Sequence, residues 1–402
     1  MITRLRLRCL ACQCAVTARV QVGHESVQRV ASVCPECHTP FRLRLILDHP
    51  PNVGVEFDEN CERTDEEGRV LNISAGFVIP RARVHEDQYF PVHDLPEPDE
   101  ATLRAIQNSR PEGVDGPIMV DLTVLLGGLP NATEYWRLLR NAYRFSRTGQ
   151  QDLMRAHLRQ LAGDEVPDDE LTIERALVGF FVRVLEPYGE GGLHRLTTEF
   201  ARARELNEQE FERFQAEFRQ SRWDRMDEYV DVFDHFFRAY DEFNQTFMYV
   251  RRATNLPDDP YAPSTDFERT RMYYGEAFEV LGSHIDLLAA ANNIVSGRQF
   301  DQLSRISLRD YRGSDKGRRN ETLGANPELA WLVAEYDNRL RNASHHRWLR
   351  LSHDRSVITY REGGDGAVRT LSYAEYLFRC CAITAQLMVL AAAEALVLEV
   401  GA

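Results

Sequence analysis

Apolar and polar positions alternate along the first 48 residues. The segments TRLRLR, AVTARVQV, SVQRVASV and FRLRLILD show this alternation or are rich in β-branched residues. A period of two residues is typical of strands that bury one face of a small sheet. The pattern therefore predicts a compact β structure at the N-terminus, followed over residues 49–128 by a few more strands and a linker.

From about residue 130 the apolar positions recur at steps of three and four, which is typical of amphipathic helices. Aromatic residues keep this spacing through residues 208–252, a pattern typical of a helical core. The glycine-rich string GEGGLHR at residues 189–195 interrupts the helical pattern and predicts a turn.

Capping residues predict where two later helices start. Thr265 and Glu268 form a capping box, which predicts a helix that reaches about Gly297. Asn326 is a good N-cap ahead of Pro327 and predicts a second helix. The buried positions of that second helix are Leu329, Leu332, Val333, Tyr336, Leu340 and Ala343.

The cysteines near the N-terminus predict a metal site. Residues 9–12 read CLAC and residues 34–37 read CPEC. Two C-x2-C pairs are a strong signature of a zinc site, and four thiolates complete a tetrahedral shell. The segment resembles a zinc ribbon and predicts one structural zinc ion per chain. The predicted ligands are Cys9, Cys12, Cys34 and Cys37, and Cys14 could replace Cys12.

Charge and hydropathy narrow the class of protein. The formal net charge of −14 argues against bulk attraction to nucleic acid, so any such contact must be local. Eight cysteines without a secretory signal predict a cytoplasmic protein. The most apolar segment, 382–400, carries Gln386 and Glu394, which favours a buried helix over a membrane span.

The segment LRNASHHRWLR at residues 340–350 carries cations, two histidines and a tryptophan but no acid. One interpretation pairs each arginine of the predicted helix with an acid four positions earlier, Arg341 with Asp337 and Arg339 with Glu335. Such surface ion pairs account for the arginines only. They leave the asparagine and both histidines of the segment unexplained.

The same residues resemble the R-x(4–6)-H motif of HEPN ribonucleases. Arg341 and His346 match the motif, and Asn342 matches the polar residue that often follows the arginine. His345 could replace His346. On a continuous helix, five positions are about 140° of rotation, so Arg341 and His346 would not share a face unless the helix ended near Ser344. A predicted hairpin and a long final helix from about residue 372 extend the resemblance over roughly residues 220–402.

The resemblance implies a metal-independent RNA endonuclease. In this family the 2′-hydroxyl attacks the phosphate and leaves a 2′,3′-cyclic phosphate and a 5′-hydroxyl, and two motifs meet across a homodimer. Such proteins are often toxins or abortive-infection effectors with tRNA as a frequent target, held in check by a partner or released by a phage trigger. The alternative is a non-catalytic HEPN-like module for dimerisation or nucleotide binding. The residues predicted to bind RNA are Arg312, Lys316, Arg318, Arg319, Arg347 and Trp348.

These patterns together predict a multidomain chain, with a small β zinc ribbon followed by mainly helical sequence that ends in a HEPN-like bundle. The predicted domains are a ribbon (1–48), a mixed β and linker region (49–128), a helical region (129–215) and a HEPN-like domain (216–402).

Overall fold

A computed structural model describes residues 2–22, 27–47, 52–90, 129–163, 166–361 and 366–399. It has an N-terminal β region followed by a mostly helical chain, as the sequence predicts. Most of the predicted linker, residues 91–128, lies outside the described residues.

The strands of the described residues are β1 (Ile2–Cys9), β2 (Ala15–Gln21), β3 (Val27–Val33), β4 (Pro40–Leu47), β5 (Val53–Glu59), β6 (Cys61–Arg63), β7 (Arg69–Ser74), β8 (Ile79–Pro80), β9 (Pro260–Tyr261), β10 (Arg350–Leu351), β11 (Val357–Arg361) and β12 (Val368–Ser372).

The α-helices are α1 (Ala132–Arg147), α2 (Gln151–Ala162), α3 (Ile173–Val184), α4 (Tyr188–Leu206), α5 (Glu208–Gln220), α6 (Arg222–Arg238), α7 (Tyr240–Arg251), α8 (Phe267–Thr270), α9 (Tyr273–His284), α10 (Asp286–Val295), α11 (Leu308–Gly313), α12 (Pro327–Ala330), α13 (Asn338–His345) and α14 (Tyr373–Glu399). The predicted turn at residues 189–195 is therefore part of helix α4.

Contacts divide the chain into two compact units that interleave along the sequence. The first unit is formed by residues 1–131, 239–271 and 348–381, and the second by residues 132–238, 272–347 and 382–402. The predicted HEPN-like domain, 216–402, is thus shared between the two units. The predicted boundary at residue 215 falls inside a continuous segment of the second unit.

The first unit contains the sheets. One has the strand order β6-β1-β2-β7 and another the order β3-β4-β5. Strand β7 runs parallel to β2, whereas β6 and β5 pair antiparallel with β1 and β4. The β structure therefore continues past residue 48, and the predicted end of the ribbon falls between strands that pair with each other.

Helix α7 of the first unit carries a buried carboxylate that organises the chain after it. Glu242 accepts the backbone N–H groups of Thr265 at 2.8 Å and Asp266 at 2.9 Å, and the Tyr373 hydroxyl at 2.7 Å. The Thr265 hydroxyl also donates to Glu242, at 2.5 Å. Helix α8 has Asp266 at its N-cap and ends at residue 270, so the predicted long helix from Thr265 is replaced by three shorter ones.

The second unit has a core of aromatic side chains and a buried ion network. Phe214, Phe218 and Phe233 are fully buried, which confirms the core predicted from the aromatic spacing. Arg225 of α6 binds Glu394 of α14 through Nε at 2.5 Å and Asp286 of α10 through Nη1 at 2.9 Å. These ion pairs fix α10, which directly follows α9, against α6.

Helix α14 is long and apolar enough to cross a membrane by length and composition, with a mean hydropathy of 2.0 in its most apolar window. However, 89% of that window is buried within the protein. A buried core helix passes the same test, so the length of α14 is weak evidence for a span.

Candidate functional site

The two C-x2-C segments fold into turns with the same backbone pattern. Gln13 donates its N–H to the Cys9 carbonyl at 2.8 Å, and His38 donates to the Cys34 carbonyl at 2.9 Å. Gln13 and His38 both have positive φ, 65° and 55°. Each turn therefore brings the sulfurs of its two cysteines to one side.

The four predicted sulfurs come together, with their Sγ atoms all within 4.8 Å of one another. Cys9 and Cys37 are 3.7 Å apart, as are Cys12 and Cys34. A tetrahedral ion with zinc–sulfur bonds of about 2.3 Å requires sulfur–sulfur distances of about 3.8 Å. The cluster therefore has the size and donor set of a site for one metal ion.

A fifth thiol, Cys14, lies beside this cluster. Its sulfur is 3.2 Å from that of Cys12 and 3.3 Å from that of Cys34. Burial raises the pKa of Cys9 and of Cys34 to about 12, so thiolates there need a compensating positive charge. A bound cation would supply that charge, and the residues fit such an ion.

The Arg–Asn–His segment lies on helix α13, which is separate from the helix that starts at Asn326. Helix α12 ends at residue 330, and α13 begins with Asp337 as its N-cap. The Asp337 side chain accepts the N–H groups of Arg339 at 2.9 Å and Leu340 at 3.2 Å. The sequence predicted one continuous helix here, but the second cap makes α13 an independent eight-residue helix.

Helices α9 and α13 lie against each other and run antiparallel. Gly275, near the start of α9, donates its N–H to the Ser344 hydroxyl at 3.1 Å, near the end of α13. A Cβ atom at position 275 would lie 3.3 Å from Nδ1 of His345. Glycine therefore allows the close approach that sets α9 beside the motif.

Arg341 is held by a carboxylate of α9 that lies about one turn after Gly275. Its Nε donates to Glu279 at 2.6 Å, Nη2 donates to the same carboxylate oxygen, and Nη1 donates to the Asn342 side chain at 2.8 Å. Its side chain is 22% exposed. These bonds use three of the five guanidinium N–H groups, which leaves two that could contact a phosphate.

The Glu279 carboxylate lies between two cations. Lys316 binds its other oxygen at 3.1 Å. Burial alone would raise the pKa of Glu279, but Arg341 and Lys316 outweigh burial and hold that pKa below its ordinary value. The predicted ion pair of Arg341 with Asp337 is thus replaced by a pair with an acid 62 positions away in sequence.

The two histidines occupy different positions relative to Arg341. His345 is the last residue of α13, four positions after Arg341, so the two share a helix face. His346 is the C-cap, and the next residue, Arg347, has a positive φ of 56°. Both histidines are exposed, and their ring centroids are 6.5 Å apart.

A second carboxylate of α9, Glu276, is the residue after Gly275 and binds helix α6. Nδ1 of His235, on α6, is 2.6 Å from Oε2 of Glu276. This hydrogen bond holds the pKa of Glu276 below its ordinary value. Helix α9 therefore has Arg341 and Lys316 on Glu279, and His235 on Glu276. The His345 side chain lies against Gly275 of the same helix.

Three of the predicted RNA-binding cations are held by acids or carbonyl groups of the protein. Arg312 binds Asp286 at 2.7 Å and Glu217 at 3.0 Å, and Lys316 binds Glu279. Arg319 is 5% exposed and donates to the Gly282 carbonyl at 2.8 Å. The burial of Arg319 argues against the predicted contact with RNA, because its guanidinium is used to hold the backbone.

The remaining predicted RNA-binding residues are more accessible. The Arg318 side chain is 75% exposed and pairs with Glu321 at 3.0 Å. Arg347 is exposed, and Trp348, which follows it, is half-buried. These three stay candidates for contact with a nucleic-acid backbone or base.

The sequence alone did not single out His235, Gly275, Glu276 or Glu279. The one local signal is that GEAFE places a glycine and two acids within an otherwise apolar helical pattern. A glycine inside a helix is often found where another segment approaches closely. Its partners, about 60 to 70 positions later in the chain, cannot be deduced from that signal.

Comparisons with protein-family models, with curated proteins and with solved structures found no match.

Proposed function

We propose that the protein is an RNA endonuclease whose active site is formed by Arg341, Asn342 and the pair His345 and His346. The observation that carries this proposal is the convergence at the end of α13 of a held arginine and two exposed histidines. A guanidinium and imidazoles are the groups that phosphodiester cleavage needs.

In the proposed reaction RNA supplies its own nucleophile. An imidazole takes the proton of the 2′-hydroxyl, the 2′-oxygen bonds to phosphorus, and the bond from phosphorus to the 5′-oxygen breaks. The leaving 5′-oxygen takes a proton from an imidazolium. Arg341 donates to the phosphate oxygens, where negative charge grows. The products are a 2′,3′-cyclic phosphate and a 5′-hydroxyl, and no metal ion takes part.

We propose that the cysteine cluster holds zinc and that this ion is structural. Four thiolates fill a tetrahedral shell and leave no position for substrate. The HEPN resemblance also motivates a cytoplasmic homodimer that acts as a toxin or anti-phage effector on RNA such as tRNA. A restraining partner or a phage-derived trigger belongs to the same proposal.

The test is cleavage of total RNA and of tRNA by purified protein in buffer with EDTA, under conditions where zinc stays bound. We expect cleavage with cyclic phosphate ends, and loss of cleavage in Arg341→Ala and in the double variant His345→Ala with His346→Ala. Cleavage that persists in the double variant would contradict the assignment. Binding of RNA or nucleotide without cleavage would favour the non-catalytic module.

A further inference from the structure

A fifth thiol lies against the cysteine cluster, although a tetrahedral ion is already complete with four sulfurs. The four-sulfur group consists of Cys9, Cys12, Cys34 and Cys37. Cys14 lies outside that group, but its Sγ atom is 3.2 Å from the Sγ atom of Cys12. Sulfurs within the group are 3.7 Å apart where they are in contact. The position of Cys14 therefore favours a role other than ligation.

We propose that Cys14 is a resolving thiol, which turns oxidation of Cys12 by peroxide into a Cys12–Cys14 disulfide and so removes one ligand from the metal site. Release of the ion rests on the proposed zinc site, whereas formation of the disulfide does not. Neither event depends on the proposed RNA cleavage.

Accessibility selects Cys12 as the ligand that is oxidised first. Cys12 is exposed, whereas Cys9 and Cys34 are buried and Cys37 is half-buried. Oxidation of cysteines follows exposure and thiolate character, and a sulfur that ligates a metal is a thiolate. An oxidant in solution therefore meets the Cys12 sulfur before it meets the sulfurs of the other ligands.

The backbone places the sulfurs of Cys12 and Cys14 side by side. Gln13, which separates them, has a positive φ of 65°, so the chain turns at this residue. The Cys14 carbonyl accepts the N–H of Cys9 at 2.9 Å, which closes the turn. The two sulfurs are thus in contact before any bond forms, and rotation of the exposed Cys12 side chain can bring them to bonding distance.

The reaction balances with hydrogen peroxide as the oxidant. The Cys12 thiolate attacks one peroxide oxygen, the O–O bond breaks, and a sulfenic acid forms while hydroxide leaves and takes a proton from solvent. The Cys14 sulfur then attacks the Cys12 sulfur, the S–O bond breaks, and the Cys14 proton leaves with that oxygen as water. Two electrons pass from the two sulfurs to the peroxide. Three thiolates then remain in the four-sulfur group.

The test treats the full-length, zinc-loaded protein with hydrogen peroxide and follows zinc release with a chromogenic chelator. Cleavage after arginine separates residues 9–19, which contain three of the cysteines, from residues 30–42, which contain two more. We expect zinc release together with a 9–19 peptide that has lost two hydrogen atoms and keeps a free thiol at Cys9. Reduction with a thiol should restore both the peptide mass and zinc binding.

Cys14→Ser tests the resolving role directly. Without the Cys14 thiol we expect no disulfide within residues 9–19, and a sulfenic acid at Cys12 that a cyclic diketone reagent traps. Continued exposure to peroxide should carry Cys12 to the sulfinic acid, which thiols do not reduce, so most of the zinc binding should be lost for good.

Cys61→Ser is the matched control for that substitution. Cys61 is a buried thiol of the same unit that donates to the Arg42 carbonyl at 3.4 Å, and a serine hydroxyl can make the same bond. This variant should form the disulfide and recover zinc as wild type does. Thermal unfolding and zinc content before oxidation show that each variant is folded.

The mass of the wild-type 9–19 peptide decides the inference without any variant. A peptide that keeps all its thiols after zinc is lost, or a cross-link between residues 9–19 and 30–42, overturns the proposed pair. Recovery of zinc by Cys14→Ser as complete as in wild type overturns the resolving role. A protein that binds no zinc contradicts the metal site alone, because the peptide mass still shows whether the disulfide forms.

Discussion

At the scale of single residues, the geometry of Arg341 gives the strongest support for its proposed role in stabilising a transition state. Its guanidinium is planar and forks onto one carboxylate oxygen of Glu279 while a third N–H reaches Asn342. A lysine could supply the charge at this position but not the fork. The side chain is therefore fixed before substrate arrives, which is what electrostatic stabilisation of a transition state requires.

We predict that Arg341→Ala lowers the rate of RNA cleavage by about 100-fold or more, equivalent to about 3 kcal/mol of transition-state stabilisation. Arg341→Lys should recover only part of the loss, because it keeps the charge and loses the paired donors. Arg339→Ala is the control, an exposed arginine of the same helix. Steady-state rates and a thermal melt of each variant check the prediction, and equal losses in both alanine variants would contradict it.

The residue scale also shows what the sequence could predict about the site. Arg341, Asn342 and the two histidines were found because they lie within six positions of one another. Asp337 was expected to pair with Arg341, but its side chain caps α13. The actual partner, Glu279, lies on another helix, and no local pattern encodes a contact between residues so far apart in sequence.

At the scale of elements, the two cysteine turns were predictable because their chemistry is local. The spacing C-x2-C fixes which sulfurs can share an ion, and the turns repeat one backbone pattern. The helix boundaries were less predictable. Asn326 does cap a helix, but the chain leaves the helical conformation and is capped again at Asp337. Such a break depends on tertiary contacts, for example the Tyr274 hydroxyl, which accepts the Asp337 N–H at 3.0 Å.

We predict about one zinc ion per chain by elemental analysis of the purified protein. The double variant Cys34→Ser with Cys37→Ser should lose it, because one whole turn of ligands is removed. Cys14→Ser is the matched variant and should keep zinc, since the four-sulfur group forms without Cys14. Zinc lost in Cys14→Ser but kept in Cys12→Ser would show that Cys14 is the fourth ligand.

A second prediction for elements concerns the contact of α9 with α13. In Gly275→Ala the added Cβ would lie 3.3 Å from the His345 N and Nδ1 and from the Ser344 Oγ, so α13 must shift by a few tenths of an ångström. We expect RNA cleavage to fall by about 10-fold, because such small displacements disturb catalytic alignment. The gain that alanine gives in a helix, about 0.5–1 kcal/mol, should be cancelled by this crowding.

Gly191→Ala is the control for that substitution. Gly191 is an exposed residue of α4, and a Cβ there would meet nothing within 4 Å. This variant should be more stable than wild type by about 0.5–1 kcal/mol and should keep full activity. Chemical denaturation of both variants measures the difference. A Gly275→Ala protein that matches Gly191→Ala in stability and activity would show that the contact is not tight.

At the scale of the whole molecule, the sequence could predict that strands come before helices, but it could not predict the division into two units. The change from a period of two to a period of three or four marks the passage from strands to helices. However, residues 239–271 and 348–381 belong to the same unit as the N-terminal strands. Sequence composition does not mark the points where the chain leaves one unit and enters the other. Some of these points lie inside a helix or between two consecutive helices, where no linker is needed.

Burial also changes the argument for a dimer. The apolar final helix and the aromatic residues of 208–252 would favour a dimer only if they were exposed. In the structure Phe211, Phe218 and Phe236 are buried, as is most of α14. The exposed large apolar residues of the described ranges are scattered along the chain, Leu10, Val27, Phe90, Leu153, Leu206, Ile306 and Val368. The proposed homodimer therefore rests on the HEPN resemblance and not on exposed apolar surface.

Our last prediction separates a dimer that merely forms from a dimer that shares its active site. A homodimer should have a mass of about 92 kDa by light scattering, twice the 46.2 kDa of one chain. Arg341 and His345 lie on one face of one helix, so each protomer should hold a complete set of both residues. We therefore expect mixtures of Arg341→Ala and His345→Ala proteins to stay inactive after exchange of subunits.

The contrasting result would be equally clear, because recovery of activity in the mixed dimers, about half of all dimers after random exchange of equal amounts, requires an arginine from one chain and a histidine from the other. A composite cleft of that kind would restore the mechanism implied by the resemblance and would overturn the single-chain site. A monomer that cuts RNA would exclude the composite cleft and would show that the active site lies within one chain. The mixing experiment thus decides between the two mechanisms on one measured rate, with the unmixed variants as its baseline.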